Sequence, residues 1–155
     1  MFLCILESFN YGEPKKRYTT LIDDYNCGKT SFGFSFLSLF SGTSINCNVD
    51  FGRFEFFLGE AINQRFVLFD DVSKKGFKNF DELGDHLHVR VSVLLEKRNM
   101  HPLLKKFPAG IITSNLPIPG NMHVRVKEFR LDSFDLKGHE YKTECNILFI
   151  VLVMF

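Results

Sequence analysis

A chain of 155 residues has room for one domain that buries roughly two thirds of its unfolded surface, so a second independent domain is not expected. Its 19 basic side chains are balanced by 18 acidic ones, which excludes a global field for nucleic acid and leaves only local basic clusters to do that work. Four cysteines, Cys4, Cys27, Cys47 and Cys145, form no C-x-x-C pair, which removes zinc-ribbon and thioredoxin-type readings and fits reduced thiols in an intracellular protein.

In chain order, "MFLCILESFN" reads as the end of an amphipathic helix, because it lacks a basic leader and a small-residue cleavage site and Glu7 interrupts its apolar run. "YGEPKKRY" is a Gly/Pro break with a basic cluster, and "YTTLI" is a β-branched strand that runs into the loop "DDYNCGKTSF". From Lys29, Phe32, Phe36 and Phe40 recur at steps of four, with Leu37 and Leu39 beside them and Gly42 as the stop. These predict a helix, although two serines and Gly33 weaken it. "SINCNV" alternates as a short strand, and "RFEFFLGEAIN" is a helix with Phe54, Phe57, Leu58 and Ile62 on one face. "RFVLF" is a continuous apolar run ending in Asp70 and Asp71, the profile of a central strand buried on both faces.

Beyond it, "KKGFKN" reads as a polar loop, "FDELGDHL" as a short helix and "VRVSVLLEK" as an alternating strand that ends in a charged turn. "FPAGIITSN" is a second buried strand, ending in Asn115 and followed by the proline-rich loop "LPIPGN". The terminal "ILFIVLVMF" is about half the length of a bilayer-spanning helix and reads as a buried strand, or as an edge exposed by truncation, so no membrane partner is expected. Strands alternating with helices, with polar residues at strand ends, predict an α/β fold whose mostly parallel sheet carries its sites along the carboxyl edge.

Gly28, Lys29 and Thr30 fill the last three places of G-x-x-x-x-G-K-[ST]. In that pattern backbone N–H groups enclose phosphates, the lysine reaches the outer phosphates and the hydroxyl ligates magnesium. The tripeptide alone is weak. Its setting between a strand and an amphipathic helix, about forty residues before an acidic strand end, makes it a candidate nucleotide site. Asp70, Asp71 and Asn115 are also ordinary turn formers, and that reading stays open for each of them. His86 and His88 lack a third ligand at suitable spacing, and no histidine has a nucleophile partner of hydrolase type.

"PKKRY", "GKTS", "LGEAINQRFVLFDDV", "LLEKR", "FPAGIITSN" and "HVRV" occur in the order and approximate spacing found in the helicase domain of the polyomavirus large T antigen family. The resemblance runs from about Phe2 to Arg130 and is to superfamily 3 helicases, AAA+ ATPases that assemble as hexamers around DNA. It implies a P-loop NTPase core with a basic β-hairpin, incomplete at both ends. Residues 1–14 would be the end of a preceding helix and a linker, 15–130 the ATPase core and 131–155 a divergent tail.

By the same resemblance ATP and Mg2+ are the cofactors, held by Asn26, Cys27, Gly28, Lys29, Thr30 and Ser31, with Thr30 and Asp70 on the metal side. Lys29, Asp70, Asp71 and Asn115 would be catalytic. Arg125 would reach a neighbouring subunit's ATP, with Lys15 as a second trans-acting cation. Lys97 and Arg98 would sit near the tip of a hairpin that tracks DNA. The cluster they form with Lys105 and Lys106 also suits backbone phosphates on its own chemistry, or a plain solvated loop. DNA, a homo-hexamer or related subunits, and the host nucleus complete the expectation.

The chain departs from the family pattern at three positions. Asp23 replaces the first loop glycine, Asn99 a histidine at the hairpin tip, and Gly84 a trans-acting arginine. Two functions therefore compete: an ATP-dependent replication helicase core, and a catalytically impaired remnant that binds DNA or subunits. A small-molecule kinase on the same loop is disfavoured because no acceptor or lid segment is recognisable.

Overall fold

The computed structural model describes residues 17–25, 27–61, 63–83, 93–95, 103–105, 107–120, 122 and 126–130. Strands β1 (Tyr18–Ile22), β2 (Thr43–Ser44), β3 (Phe66–Phe69), β6 (Ala109–Ser114) and β7 (Val126–Arg130) form one five-stranded sheet in the order β2-β3-β6-β1-β7. Every pairing in it is parallel. A separate antiparallel pair joins β4 (Val93–Leu95) to β5 (Leu103–Lys105). Among the described residues the helices are α1 (Lys29–Phe40), α2 (Phe51–Leu58), which runs into a 3-10 turn at Gly59–Ala61, and α3 (Lys74–Leu83).

Why β1, β3 and β6 lie in the middle follows from their side chains. Every residue of all three is buried, and successive side chains of a strand point to opposite faces. On β3, Phe66 and Leu68 enter one apolar cluster with Leu21, Phe36 and Ile111. Val67 and Phe69 enter the other, with Tyr18, Phe54, Phe80, Phe107 and Ile112. Both faces therefore need a cover, and the phenylalanine-rich helices supply it.

On the first face α1 presents Phe32, Phe36 and Phe40, with neighbouring ring centroids 4.9 and 5.6 Å apart and Phe36 at 6.1 Å from Phe66. Gly33, a poor helix former, leaves room for the sheet here: a Cβ at that position would lie 2.6 Å from Leu68 Cδ1. On the second face Phe69 meets Phe80 edge-on at 4.8 Å and Phe54 at 6.2 Å, while Phe54 meets Phe80 at 5.6 Å. Edge-to-face geometry sets the electropositive rim of one ring against the face of the next.

The strands and helices expected around the loop are present, with three differences. "KKGFKN" is helical rather than a polar loop, since α3 begins at Lys74. Phe77 and Phe80, three residues apart, bury one face of it, and Asn79 is held by donating to the carbonyls of Cys47 and Val49 at 2.7 and 2.9 Å. "SINCNV" contributes little ladder: β2 is Thr43–Ser44, and Ile45 N–H adds one bond to the carbonyl of Leu68. Strand β7, pairing with β1 at the sheet edge, is an element that the periodicity did not single out. The terminal segments, the "KKRY" lysines and the β4–β5 tip lie outside the described residues.

Truncating Phe69 removes the ring shared by the aromatic contacts of the second face. In urea unfolding, Phe69→Ala is expected to cost about 3–5 kcal/mol, against less than about 0.5 kcal/mol for Phe56→Ala, whose side chain is exposed. Equal effects would contradict this core. Burial pushes the Cys47 thiol up from 9.0 to about 12, with the nearby charges of Asp70 and Asp71 acting in the same direction. The unfolded chain thus releases this proton at lower pH than the folded one. Stability is expected to fall as pH rises between about 9 and 12, with part of that slope absent in Cys47→Ala. Identical slopes in the two proteins would contradict the burial of this thiol.

Candidate nucleotide site

Register places the site. Ile22 is paired with Ser114 and Phe69 with Ile112, so the chain leaves β1, β6 and β3 at neighbouring points of one sheet edge. The segment after β1 is the loop Asp23 to Gly28, the segment after β3 begins with Asp70 and Asp71, and Asn115 follows β6. Three stretches far apart in sequence thereby share one corner.

The loop turns into α1 at Gly28, whose φ of 82° lies in the left-handed region that glycine occupies at no steric cost. Its carbonyl accepts the N–H of Phe32 at 2.9 Å, which starts the helix. Lys29 follows at the helix N-terminus and is 6% exposed. Its ammonium is satisfied within the loop, donating to the carbonyls of Asp23 and Asp24 at 2.8 and 2.6 Å and to Cys27 Sγ at 3.0 Å. A buried cation with its donors engaged is what low dielectric demands.

Asp23 stands in the loop's first position. It is absent from the positive-φ residues, so an L side chain is accommodated there without left-handed strain. Its Oδ1 accepts the N–H of Asp24 at 2.8 Å, whereas Oδ2 is buried with no hydrogen-bond partner. The side chain thereby occupies an amide of the loop.

Across the corner, Asp70 Oδ1 accepts two hydroxyl bonds, from Thr30 at 2.9 Å and from Thr113 at 2.7 Å. The Thr113 hydroxyl in turn accepts the N–H of Asp71 at 2.8 Å. Asp71 has φ 48°, uncommon for a non-glycine residue and worth about 1–3 kcal/mol of strain. Its carbonyl accepts from Asn48 Nδ2 at 2.8 Å and its carboxylate from Asn115 Nδ2 at 3.0 Å. Asn48 Oδ1 also accepts both the N–H and the hydroxyl of Ser73, at 2.8 Å each.

Of the residues singled out from sequence, Gly28, Lys29, Thr30, Asp70, Asp71 and Asn115 thus come together, with Cys27 against the lysine. Ser31 lies exposed on the first turn of α1, its carbonyl accepting the hydroxyl of Ser35. Asn26, Lys15, Lys97, Arg98 and Arg125 lie outside the described residues, as do Gly84, His86, His88 and Asn99. Thr113 and Asn48 were missed. Thr113 sits in a strand read only as an apolar run, and Asn48 in a segment read only for alternation.

Among the described residues no group of three or more His, Cys, Asp or Glu forms a metal cage, and no helix is long and apolar enough to cross a membrane. The Thr30 hydroxyl and the Asp70 carboxylate, 2.9 Å apart, are a hard oxygen pair. They fit a magnesium ion that takes its other ligands from water and substrate phosphate.

A family model described as "Polyomavirus large T antigen C-terminus" matches residues 2–150, running on past about Arg130, where the resemblance read from the sequence ends. Large T antigen of bovine polyomavirus is 37% identical over 136 residues, covering 76% of this chain and 22% of the relative. That of simian virus 40 is 32% identical over 152 residues, covering 90% and 21%. The chain therefore spans about a fifth of the length of these relatives. A solved JCV helicase superposes with a TM-score of 0.83 at 28% identity, covering 99% of this chain and 49% of the other. A second, solved with an inhibitor bound, gives 0.81 at 30% identity, covering 99% and 47%. With a parallel five-stranded sheet, helices on both of its faces and a glycine-lysine-threonine loop at its carboxyl edge, the chain belongs to the polyomavirus large T antigen C-terminal family.

Proposed function

We propose that this chain is the ATPase core of a viral DNA replication helicase, with 15–130 as the working unit. The observation that carries the proposal is that Thr30, next to Lys29 in the loop, meets Asp70 while Asn115 meets Asp71 at the same sheet edge. In this reading the loop amides and Lys29 hold the triphosphate, with the lysine exchanging carbonyl partners for phosphate oxygens as nucleotide enters. Thr30 and Asp70 hold the magnesium side, where the ion neutralises phosphate charge. Asp71 accepts or orients the proton of the attacking water, and Asn115 fixes the Asp71 carboxylate by its 3.0 Å bond.

Arg125 and Lys15, carried over from the family, would complete the site of an adjacent subunit in a hexamer, so turnover depends on assembly. Lys97 and Arg98 would lie between β4 and β5, the antiparallel pair that supports a hairpin there, and would hold DNA phosphates in the host nucleus.

A second reading is favoured by Asp23. Its carboxylate occupies the Asp24 amide and brings a negative charge to a loop built for anions. An impaired module that binds DNA or related subunits without turnover would follow if that charge prevails.

Magnesium-dependent ATPase activity is expected to rise more than linearly with protein concentration and to fall at least a hundredfold in Lys29→Ala. Turnover that is linear in concentration and indifferent to Lys29 would contradict the proposal. For Asp23, titration with a fluorescent ATP analogue is expected to show Asp23→Asn binding about ten- to a hundredfold tighter than the native chain, a gain of about 1.4–2.8 kcal/mol. Unchanged affinity would mean that the carboxylate does not oppose phosphate.

A further inference from the structure

Asp71 is held from three directions at once: its N–H by the Thr113 hydroxyl, its carbonyl by Asn48 Nδ2 and its carboxylate by Asn115. Only the last of these touches the side chain. The other two grip the backbone of a residue at φ 48°, a region that aspartate enters more readily than most side chains but that is still sparsely populated by non-glycine residues. Thr113 does a second thing with the same oxygen, donating its proton to Asp70 Oδ1 at 2.7 Å. Because it donates to one carboxylate and accepts from the other residue's backbone, both directions of its hydrogen bonding are fixed.

We infer that Thr113 and Asn48 are positioning residues that clamp the Asp71 backbone in its left-handed conformation and tie its placement to that of Asp70. The inference rests on the proposed ATPase reading for its consequence in turnover, but not for its geometry. Asn48 is itself secured, since its Oδ1 accepts the N–H and the hydroxyl of Ser73 at 2.8 Å, on the far side of Asp71. Val72 N–H, between them, bonds the carbonyl of Thr113 at 2.8 Å, so Asp71 sits in a chain segment pinned before, at and after its own peptide. Neither residue needs to touch nucleotide. They act by deciding where the Asp71 carboxylate can be.

The test uses the full chain and two kinds of readout. In magnesium-dependent ATPase assays Thr113→Val, which keeps the shape and removes the hydroxyl, is expected to lower kcat at least tenfold. Its affinity for a fluorescent ATP analogue should stay within about threefold of native, and Thr113→Ser should restore kcat to within about threefold. Native kcat in Thr113→Val, or a serine variant no better than valine, would overturn the role. Crystal structures of Thr113→Val and of Asn48→Asp, which retains the acceptor for Ser73 and loses the donor to Asp71, read the clamp directly. The expected result is a negative φ at Asp71 and loss of its bond from Asn115. Left-handed Asp71 with that bond intact in both variants would overturn the clamp. Should the native chain prove inactive, the ATPase reading fails and the clamp is decided by these structures alone.

Discussion

The position of β6 between β3 and β1 is the constraint from which the rest follows. Parallel strands in register finish on the same side of the sheet. Pairing Phe69 with Ile112 and Ile22 with Ser114 therefore brings the loop, the acidic pair and Asn115 to one edge. A slip of one residue would turn each strand's side chains to the opposite face. Here it would exchange Phe69 for Leu68 and dismantle both aromatic clusters. The apolar packing and the site geometry are thus fixed by the same register, and neither can be changed without the other.

Phenylalanine does the covering on both faces. Because the three central strands have no exposed side chain, the helices must bring large apolar groups to them, and rings do so in few residues. Hydroxyls are placed among these rings where the sheet meets the site. Thr113 is buried and fully engaged, and Ser114 donates to the carbonyl of Val72 at 2.8 Å. Polar groups are therefore concentrated at the carboxyl edge, where the chain has to be positioned rather than merely packed.

Much of this was legible in the residues. "RFVLF" followed by two aspartates could scarcely be anything but a central strand with an acidic end, and the four-residue step of Phe32, Phe36 and Phe40 marked α1 in spite of Gly33. What escaped were features that depend on tertiary contact. The lysines, Gly76 and Asn79 of "KKGFKN" have the composition of a loop, and only the burial of Phe77 and Phe80 makes the segment helical. Thr113 and Asn48 carry no motif. Their importance lies in partners more than twenty residues away, Asp70 and Asp71, and in a backbone angle that no side-chain pattern announces.

At the centre of the account stands Lys29, whose ammonium is held by loop carbonyls and the Cys27 thiol, opposite a hydroxyl and carboxylate suited to magnesium. The most direct measurement is a crystal structure of the native chain with a non-hydrolysable ATP analogue and magnesium. Phosphates are expected within the loop from Asp23 to Thr30, with Lys29 Nζ turned from its carbonyls to a phosphate oxygen and the metal between Thr30 and Asp70. Phosphates bound elsewhere, or a loop still closed on Lys29 at saturating nucleotide, would contradict it.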